Sequence, residues 1–184
     1  MDFNVLNSLI EPRNQSHIGA DNVLLPEVMG ALSVDTATAK TFMSSTCKFL
    51  TFWIEANFKG LYTDDFPTYL KLCVKNGWVR AADAYLTESY GISDGSFQHT
   101  FADKFNINST AVGSFDEFNT YAAGQTEFVG ILRIVSNTGG KHSLICYKAD
   151  GKLLLSDTSY RGIGVDMNKY ITAKNFIYFT TMTV

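Results

Sequence analysis

The chain has 184 residues, of which 46% are hydrophobic and 14% aromatic, with a formal net charge of -3 and a pI near 5.5. This length and apolar content suit one hydrophobic core, so we expect residues 1–184 to form a single domain. The acidic balance and the lack of any run of Lys or Arg exclude nucleic acid as the expected partner.

The N-terminus and the cysteines both favour a reducing compartment. An acid, Asp2, stands where a secretory signal would carry basic residues, and no apolar stretch approaches the ~20 residues that span a bilayer. Cys47, Cys73 and Cys146 are an odd set without metal-ligand spacing. We therefore expect a cytoplasmic protein with no membrane partner, no disulfide framework and no metal site.

Residues 1–43 are rich in turn-forming residues and show no clear periodicity. The first helix that the pattern predicts follows this segment. Three consecutive hydroxyl residues can cap this helix: Ser44, Ser45 and Thr46. Apolar residues then recur at helical spacing at Phe49, Phe52, Trp53 and Ala56. The pattern predicts a buried helix that ends near Phe58 and carries Cys47 in its first turn.

Further helices are predicted after it. One begins at Asp64 or Asp65, either of which can cap it, and stops at the Asn-Gly pair 76–77. Three shorter helical segments follow at 81–90, 95–105 and 115–122. The last is capped by Ser114 and closed near Gly124. Residues 44–122 are thus predicted to be mainly helical.

The periodicity changes in the final third of the chain. Four segments there are rich in β-branched and aromatic residues and are bounded by turn formers, as is typical of strands. They are 127–135, 141–148, 152–157 and 175–183. Helices first and strands later indicate an α+β fold, with residues 127–184 forming an antiparallel sheet, and not alternating βαβ units.

The Asp-Gly pair at 150–151 predicts a hairpin with a two-residue type I′ turn, because both positions must adopt positive φ. The resulting register places Leu144 opposite Asp157, with His142 two residues farther along on the same face. His142 and Asp157 are then diagonal neighbours within contact distance. A loop of odd length would break this register.

A carboxylate beside an imidazole fixes the tautomer of the ring and stabilises its protonated form, as a general base requires. Cys47 is the best candidate for the nucleophile, since the first turn of a helix favours a thiolate through its dipole and its amide groups. The same amides can form part of an oxyanion hole. The sequence therefore predicts a catalytic triad of Cys47, His142 and Asp157.

Each of these residues also has a simpler structural interpretation. Cys47 fits a small core residue, His142 a surface residue and Asp157 the cap of a turn. The order of Cys on a helix, His on a strand and Asp on the next strand favours the triad. Cys73 lies at core spacing on its helix, and Cys146 is ~13 Å along the strand from His142. His17 and His99 have no evident partner.

Three segments carry a resemblance to a known family. They are Ser-Ser-Thr-Cys-Lys-Phe-Leu-Thr-Phe-Trp at 44–53, Tyr-Leu-Lys-Leu-Cys-Val-Lys-Asn-Gly-Trp-Val at 69–79, and Lys-His-Ser-Leu-Ile-Cys-Tyr at 141–147 with Leu-Ser-Asp at 155–157. In order and spacing they resemble the papain-like fold, and within it the C39-like peptidases and related phage and spirochaete proteins of unassigned function. The resemblance implies that Cys47 is the nucleophile, His142 the general base and Asp157 the residue that orients it.

The sequence departs from the family pattern at two places. Family enzymes usually carry a glutamine a few residues before the cysteine, which completes the oxyanion hole, whereas residues 40–46 contain none. Peptidases of the group tend to place Gly after the cysteine, whereas this chain has Lys48.

Three functions are compatible with these residues. The resemblance implies a cysteine peptidase or amide hydrolase that acts on a peptide or protein substrate without a cofactor. The missing glutamine favours a catalytically inactive papain-like binding module with a protein partner. An amidase or transglutaminase-type acyl transfer would use the same residues. Residues 1–43 are compatible with a segment that closes over the cleft.

Overall fold

The computed structural model describes residues 1–15, 21–81, 107–159 and 162–183. The helices are α1 (Phe3–Ile10), α2 (Leu24–Leu32), α3 (Thr36–Met43), α4 (Cys47–Phe58), α5 (Phe66–Lys75) and α6 (Phe115–Gly124). The strands are β1 (Asn108–Val112), β2 (Phe128–Val135), β3 (Lys141–Ala149), β4 (Lys152–Ser156), β5 (Val165–Asp166) and β6 (Phe176–Thr183). The predicted α+β class is confirmed.

The predicted helices and strands agree closely with the structure where they fall on described residues. Helix α5 is capped by Asp65, whose carboxylate accepts from the amide of Thr68, and α6 is capped by Ser114. The helices predicted over 81–90 and 95–105 lie, but for Ala81, outside the described residues. Strands β1 and β5 were not predicted, because β1 is mostly exposed and β5 has only two residues.

The strands form one antiparallel sheet in the order β1-β6-β2-β3-β4-β5. The predicted hairpin between β3 and β4 is present, with φ of 49° at Asp150 and 72° at Gly151, as a type I′ turn requires. Ile145 pairs with Ser156, as the predicted register demands. Because β4 ends at Ser156, Asp157 lies immediately beyond the strand.

Each face of the sheet packs against its own apolar cluster. On β2 and β3, residues of odd number, such as Ile131 and Ile145, pack with α1 to α5, whereas residues of even number, such as Leu132 and Leu144, pack with α6. Helix α4 lies against β3, β2 and β6, and its residues 48–56 are all buried. Burial on every side holds α4, and therefore Cys47 at its start, in a fixed position on the sheet.

The N-terminal segment forms part of the main core. Leu6, Ile10, Leu24 and Val28 are at most 1% exposed and belong to the cluster that covers α4 and α5. The helices α1 to α3 were not predicted because each has only eight or nine residues, which gives a short and weak periodic pattern. The described residues of this segment therefore contribute to the core against which α4 and α5 pack.

The C-terminal end of α4 is held against β6 by contacts of the buried Glu55 and its ion-pair partner Lys59. Glu55 is fully buried and accepts from Lys59 Nζ at 2.6 Å and from the amide of Met182 at 2.8 Å. Burial raises the pKa of Glu55, and the opposing charge of Lys59 offsets part of this rise. These contacts fix the axial position of α4 against the sheet.

Replacing Gly130 with alanine is expected to lower the free energy of unfolding by about 1–3 kcal/mol. A Cβ at this position would lie 2.5 Å from both Phe179 Cζ and the carbonyl oxygen of Thr180, so β6 would have to move. Gly113→Ala is the control, because a Cβ there meets no atom within 4 Å; it should change stability by less than about 0.5 kcal/mol. Urea denaturation measures the stability of both variants. Equal stabilities for Gly130→Ala and Gly113→Ala would contradict the expected steric clash at Gly130.

Candidate active site

Cys47 is the first residue of α4, as predicted, but the predicted hydroxyl cap is wrong. Thr46 at the N-cap has a helical backbone, and no side chain caps the helix. Its hydroxyl donates back to the carbonyl oxygen of Met43 at 2.9 Å, because α3 turns directly into α4 and offers its last carbonyls as acceptors. The positive end of the α4 dipole therefore faces Cys47.

His142 and Asp157 form the predicted pair. His142 Nε2 lies 2.8 Å from Asp157 Oδ1, and Asp157 is 3% exposed. The same Oδ1 accepts from the amide of Ser159 at 2.8 Å, so Asp157 also caps its turn. Since Nε2 is held by the carboxylate, Nδ1 is the ring nitrogen that can engage Cys47.

His142 also acts on the thiol of Cys47, so the ionisation of Cys47, His142 and Asp157 is coupled in that order. Burial alone would raise the pKa of Cys47, but the hydrogen bond and charge of His142, the charge of Arg133 and the amide of Ser143 bring this pKa below its ordinary value. Burial alone would lower the pKa of His142, but Asp157 and Cys47 raise it to about 9. Both shifts favour a thiolate–imidazolium pair.

The raised pKa of His142 also links the pair to stability. The ordinary histidine pKa is about 6.5, so the stabilisation from protonated His142 is fully present below that pH and is lost as pH rises through about 9. The lowered pKa of Cys47 acts in the opposite sense, and its contribution is lost as pH falls through that lowered value. The charged pair is therefore populated between the two folded-state pKa values.

Arg133 is a site residue that the sequence reasoning missed. It is 6% exposed on β2, and its Nη1 lies 3.7 Å from Cys47 Sγ and 2.9 Å from Ser143 Oγ. Ser143 is its cross-strand partner on β3. A signal was available, since a charge within the apolar run Phe-Val-Gly-Ile-Leu-Arg-Ile-Val needs a buried partner. Arg133 adds a second cation beside the thiol.

Gln15 is the other residue that was missed. It lies in the N-terminal segment, is buried, and its side chain reaches the turn that precedes Cys47 and the turn that follows Asp157. No local pattern could have placed it there, because its partners lie 28 to 144 residues away in the chain.

The remaining cysteines have the core role that was predicted for Cys73. Cys73 is buried, and burial raises its pKa to about 12 despite a hydrogen bond from Tyr69 that lowers it. Cys146 is buried with Sγ 3.6 Å from the sulfur of Met167, and burial raises its pKa as well. His17 and His99 lie outside the described residues.

Comparison of the chain with protein-family models, with curated proteins and with solved structures gives no match. Within the described ranges, no three or more His, Cys, Asp or Glu side chains are grouped so as to hold a metal ion. None of the helices in that part of the chain combines the length and apolarity that crossing a membrane requires. The functional inference therefore stands on the geometry of the site.

Proposed function

We propose that the chain is a papain-like cysteine hydrolase of peptide or amide bonds, with Cys47 as nucleophile, His142 as general base and Asp157 as the residue that orients His142. The observation that carries the proposal is the 2.8 Å hydrogen bond from His142 to the buried carboxylate of Asp157, beside a thiol whose pKa His142 lowers. A nucleophile, a base and an orienting group in this arrangement are the requirements of acyl transfer.

In the proposed reaction, the Cys47 thiolate attacks the substrate carbonyl and forms a C–S bond while the carbonyl electrons move to oxygen. Amides in the first turn of α4 stabilise this oxyanion. Protonated His142 then gives its proton to the leaving nitrogen as the C–N bond breaks. Neutral His142 next takes a proton from water, which attacks the thioester and releases the carboxylic acid and Cys47. No other reactant is needed.

The first test is selective alkylation, with iodoacetamide as the probe and peptide mapping by mass spectrometry as the readout. Cys47 should react at pH 6.5 at least about tenfold faster than Cys73 or Cys146, since only its thiol has a lowered pKa. In denaturant the three rates should become similar. Three slow and similar alkylation rates in the folded protein would contradict the hydrolase proposal and favour a catalytically inactive binding module.

The second test is covalent trapping with an activated ester of an acyl amino acid. Wild-type protein should show a burst and an acyl mass on Cys47, whereas Cys47→Ala should show neither. Adding an amine as the competing acceptor separates the two acyl-transfer chemistries. Release of free acid supports the hydrolase, and dominant formation of the new amide would favour the transglutaminase-type reaction instead.

A further inference from the structure

Gln15 makes contacts with both halves of the candidate site. Its side chain is 8% exposed, and it lies between the turn that leads into Cys47 and the turn that follows Asp157. These two turns belong to different parts of the chain, one on the helical layer and one at the end of a strand. A residue bonded to both can fix the distance between them.

On the cysteine side, the amide nitrogen Nε2 of Gln15 donates to the carbonyl oxygen of Met43 at 2.8 Å and to the hydroxyl of Thr46. Thr46 is the residue before Cys47, and it is fully buried. Both hydrogens of the Gln15 amide are therefore used inside the protein. The amide holds the turn before the nucleophile and does not point at a reacting group.

On the aspartate side, Oε1 of Gln15 accepts from the hydroxyl of Thr158 at 2.7 Å and from that of Ser159 at 3.2 Å. The backbone amide of Gln15 donates to the carbonyl oxygen of Thr158 at 2.6 Å. Thr158 follows Asp157 directly and is 1% exposed. Three hydrogen bonds thus connect Gln15 to the turn whose first residue orients His142.

The N-terminal segment gives this link a third attachment, to the core. Arg13, two residues before Gln15, pairs with Glu27 through contacts of 2.7 and 3.0 Å. The Arg13 guanidinium also lies 4.6 Å from the ring centre of Trp53 on α4. Gln15 is therefore held on a supported backbone, so its side chain can transmit a fixed geometry to both turns.

We propose that Gln15 is a positioning residue that sets the separation of Cys47 from the His142–Asp157 pair and so maintains the Cys47 thiolate. This inference rests on the proposed function, because it assumes that the Cys47–His142 contact is the reactive one. The hydrogen bond and the charge attraction between thiolate and imidazolium both weaken as the two groups move apart. Loss of the Gln15 link therefore raises the pKa of Cys47.

The test compares the pH profile of Cys47 alkylation by iodoacetamide in wild type and in variants of the full chain. Gln15→Met keeps the length of the side chain and removes its hydrogen bonds. It should label about three- to tenfold more slowly than wild type at pH 6.5 and at the same rate at pH 10, where every accessible thiol is ionised. A shift of the pH profile reports a change in the pKa of the Cys47 thiol. A general loss of stability would not shift this profile.

A second pair of variants breaks only the aspartate side. Thr158→Val removes the hydroxyl that donates to Gln15 and should shift the profile in the same direction, whereas Thr158→Ser keeps the hydroxyl and should restore it. Asn57→Leu is the matched control. The amide of Asn57 donates to the carbonyl oxygens of Tyr62 and Asp64 near the other end of α4, so its loss should leave the profile unchanged.

The outcomes separate this inference from the proposed function. If wild type shows a lowered thiol pKa and the Gln15→Met profile superimposes on it, Gln15 is structural only and the hydrolase proposal stands. If Gln15→Met does not fold, the difference between Thr158→Val and Thr158→Ser decides, and equal profiles for the two overturn the positioning role. If the wild-type thiol titrates at the ordinary value, both proposals fail.

Discussion

His142→Ala is expected to slow the alkylation of Cys47 at pH 6.5 by about tenfold or more and to lower the rate of amide hydrolysis by about 10²–10⁴-fold. The first effect arises because His142 supplies the largest of the contributions that lower the pKa of Cys47. The second is larger because the variant also loses the proton donor for the leaving nitrogen. At pH 10 alkylation should recover, since the thiol then ionises without help.

Lys141→Ala is the control for this variant. Lys141 precedes His142 on β3, carries a positive charge and is exposed. Its removal tests whether any nearby cation has the same effect, and it should leave the alkylation profile of Cys47 unchanged because surface charges interact weakly through water. Equal profiles for wild type and His142→Ala would show that the imidazole does not activate the thiol.

Hydrolysis should also depend on pH in a way that alkylation does not. Alkylation needs only the thiolate, so its rate should stay high above pH 9. Hydrolysis also needs protonated His142, whose pKa is about 9, so the rate should fall as pH rises through that value.

The hairpin explains why two of the three site residues could be predicted from sequence. A type I′ turn at Asp150 and Gly151 fixes the register, and the register alone brings His142 to Asp157. The Cys47 helix was also accessible, because its apolar periodicity is strong and local. Each of these predictions depends only on residues that lie in the same helix or in two strands joined by a short turn.

The features that were missed depend on contacts between distant segments. Arg133 faces Cys47 through tertiary packing of α4 on β2, and Gln15 reaches Thr158 across most of the chain. The wrong cap at Thr46 has the same origin, since its hydroxyl is bound by Met43 and Gln15 in a turn set by the packing of α3. Local hydroxyl spacing does not contain that information.

The absent glutamine before Cys47 also has a different meaning in three dimensions. A glutamine is present beside the turn that precedes the nucleophile, but it comes from residue 15 and its amide is bonded to Met43 and Thr46. Stabilisation of the oxyanion in the proposed mechanism therefore rests on amides in the first turn of α4. The electrostatic contribution of Arg133 supports the negative charge on sulfur before attack.

Arg133→Met is expected to slow the alkylation of Cys47 at pH 6.5 by about three- to tenfold. Methionine is an unbranched side chain like arginine, but the substitution removes the cation that lies 3.7 Å from the Cys47 sulfur. The variant also leaves the hydroxyl of Ser143 without its donor, which should lower the free energy of unfolding by about 1–3 kcal/mol. Urea denaturation measures this second effect.

Arg133→Gln separates the two effects of the arginine, because an amide can donate to Ser143 but carries no charge. It should be more stable than Arg133→Met while showing the same slowed alkylation. An alkylation profile like that of wild type would show that Arg133 acts through its hydrogen bond to Ser143 and not through its charge.

The double variant His142→Ala with Arg133→Met gives the sharpest result. Burial is the largest single influence on the pKa of Cys47 and acts to raise it, and the two cations provide most of the influences that oppose it, together with the amide of Ser143. With both removed, the Cys47 thiol should titrate above the ordinary value of about 8.5, in the direction of buried Cys73 with its pKa of about 12. Alkylation of the double variant at pH 8.5 should then be slower than that of His142→Ala alone. Equal rates for the double variant and His142→Ala at that pH would show that Arg133 contributes nothing to the thiolate.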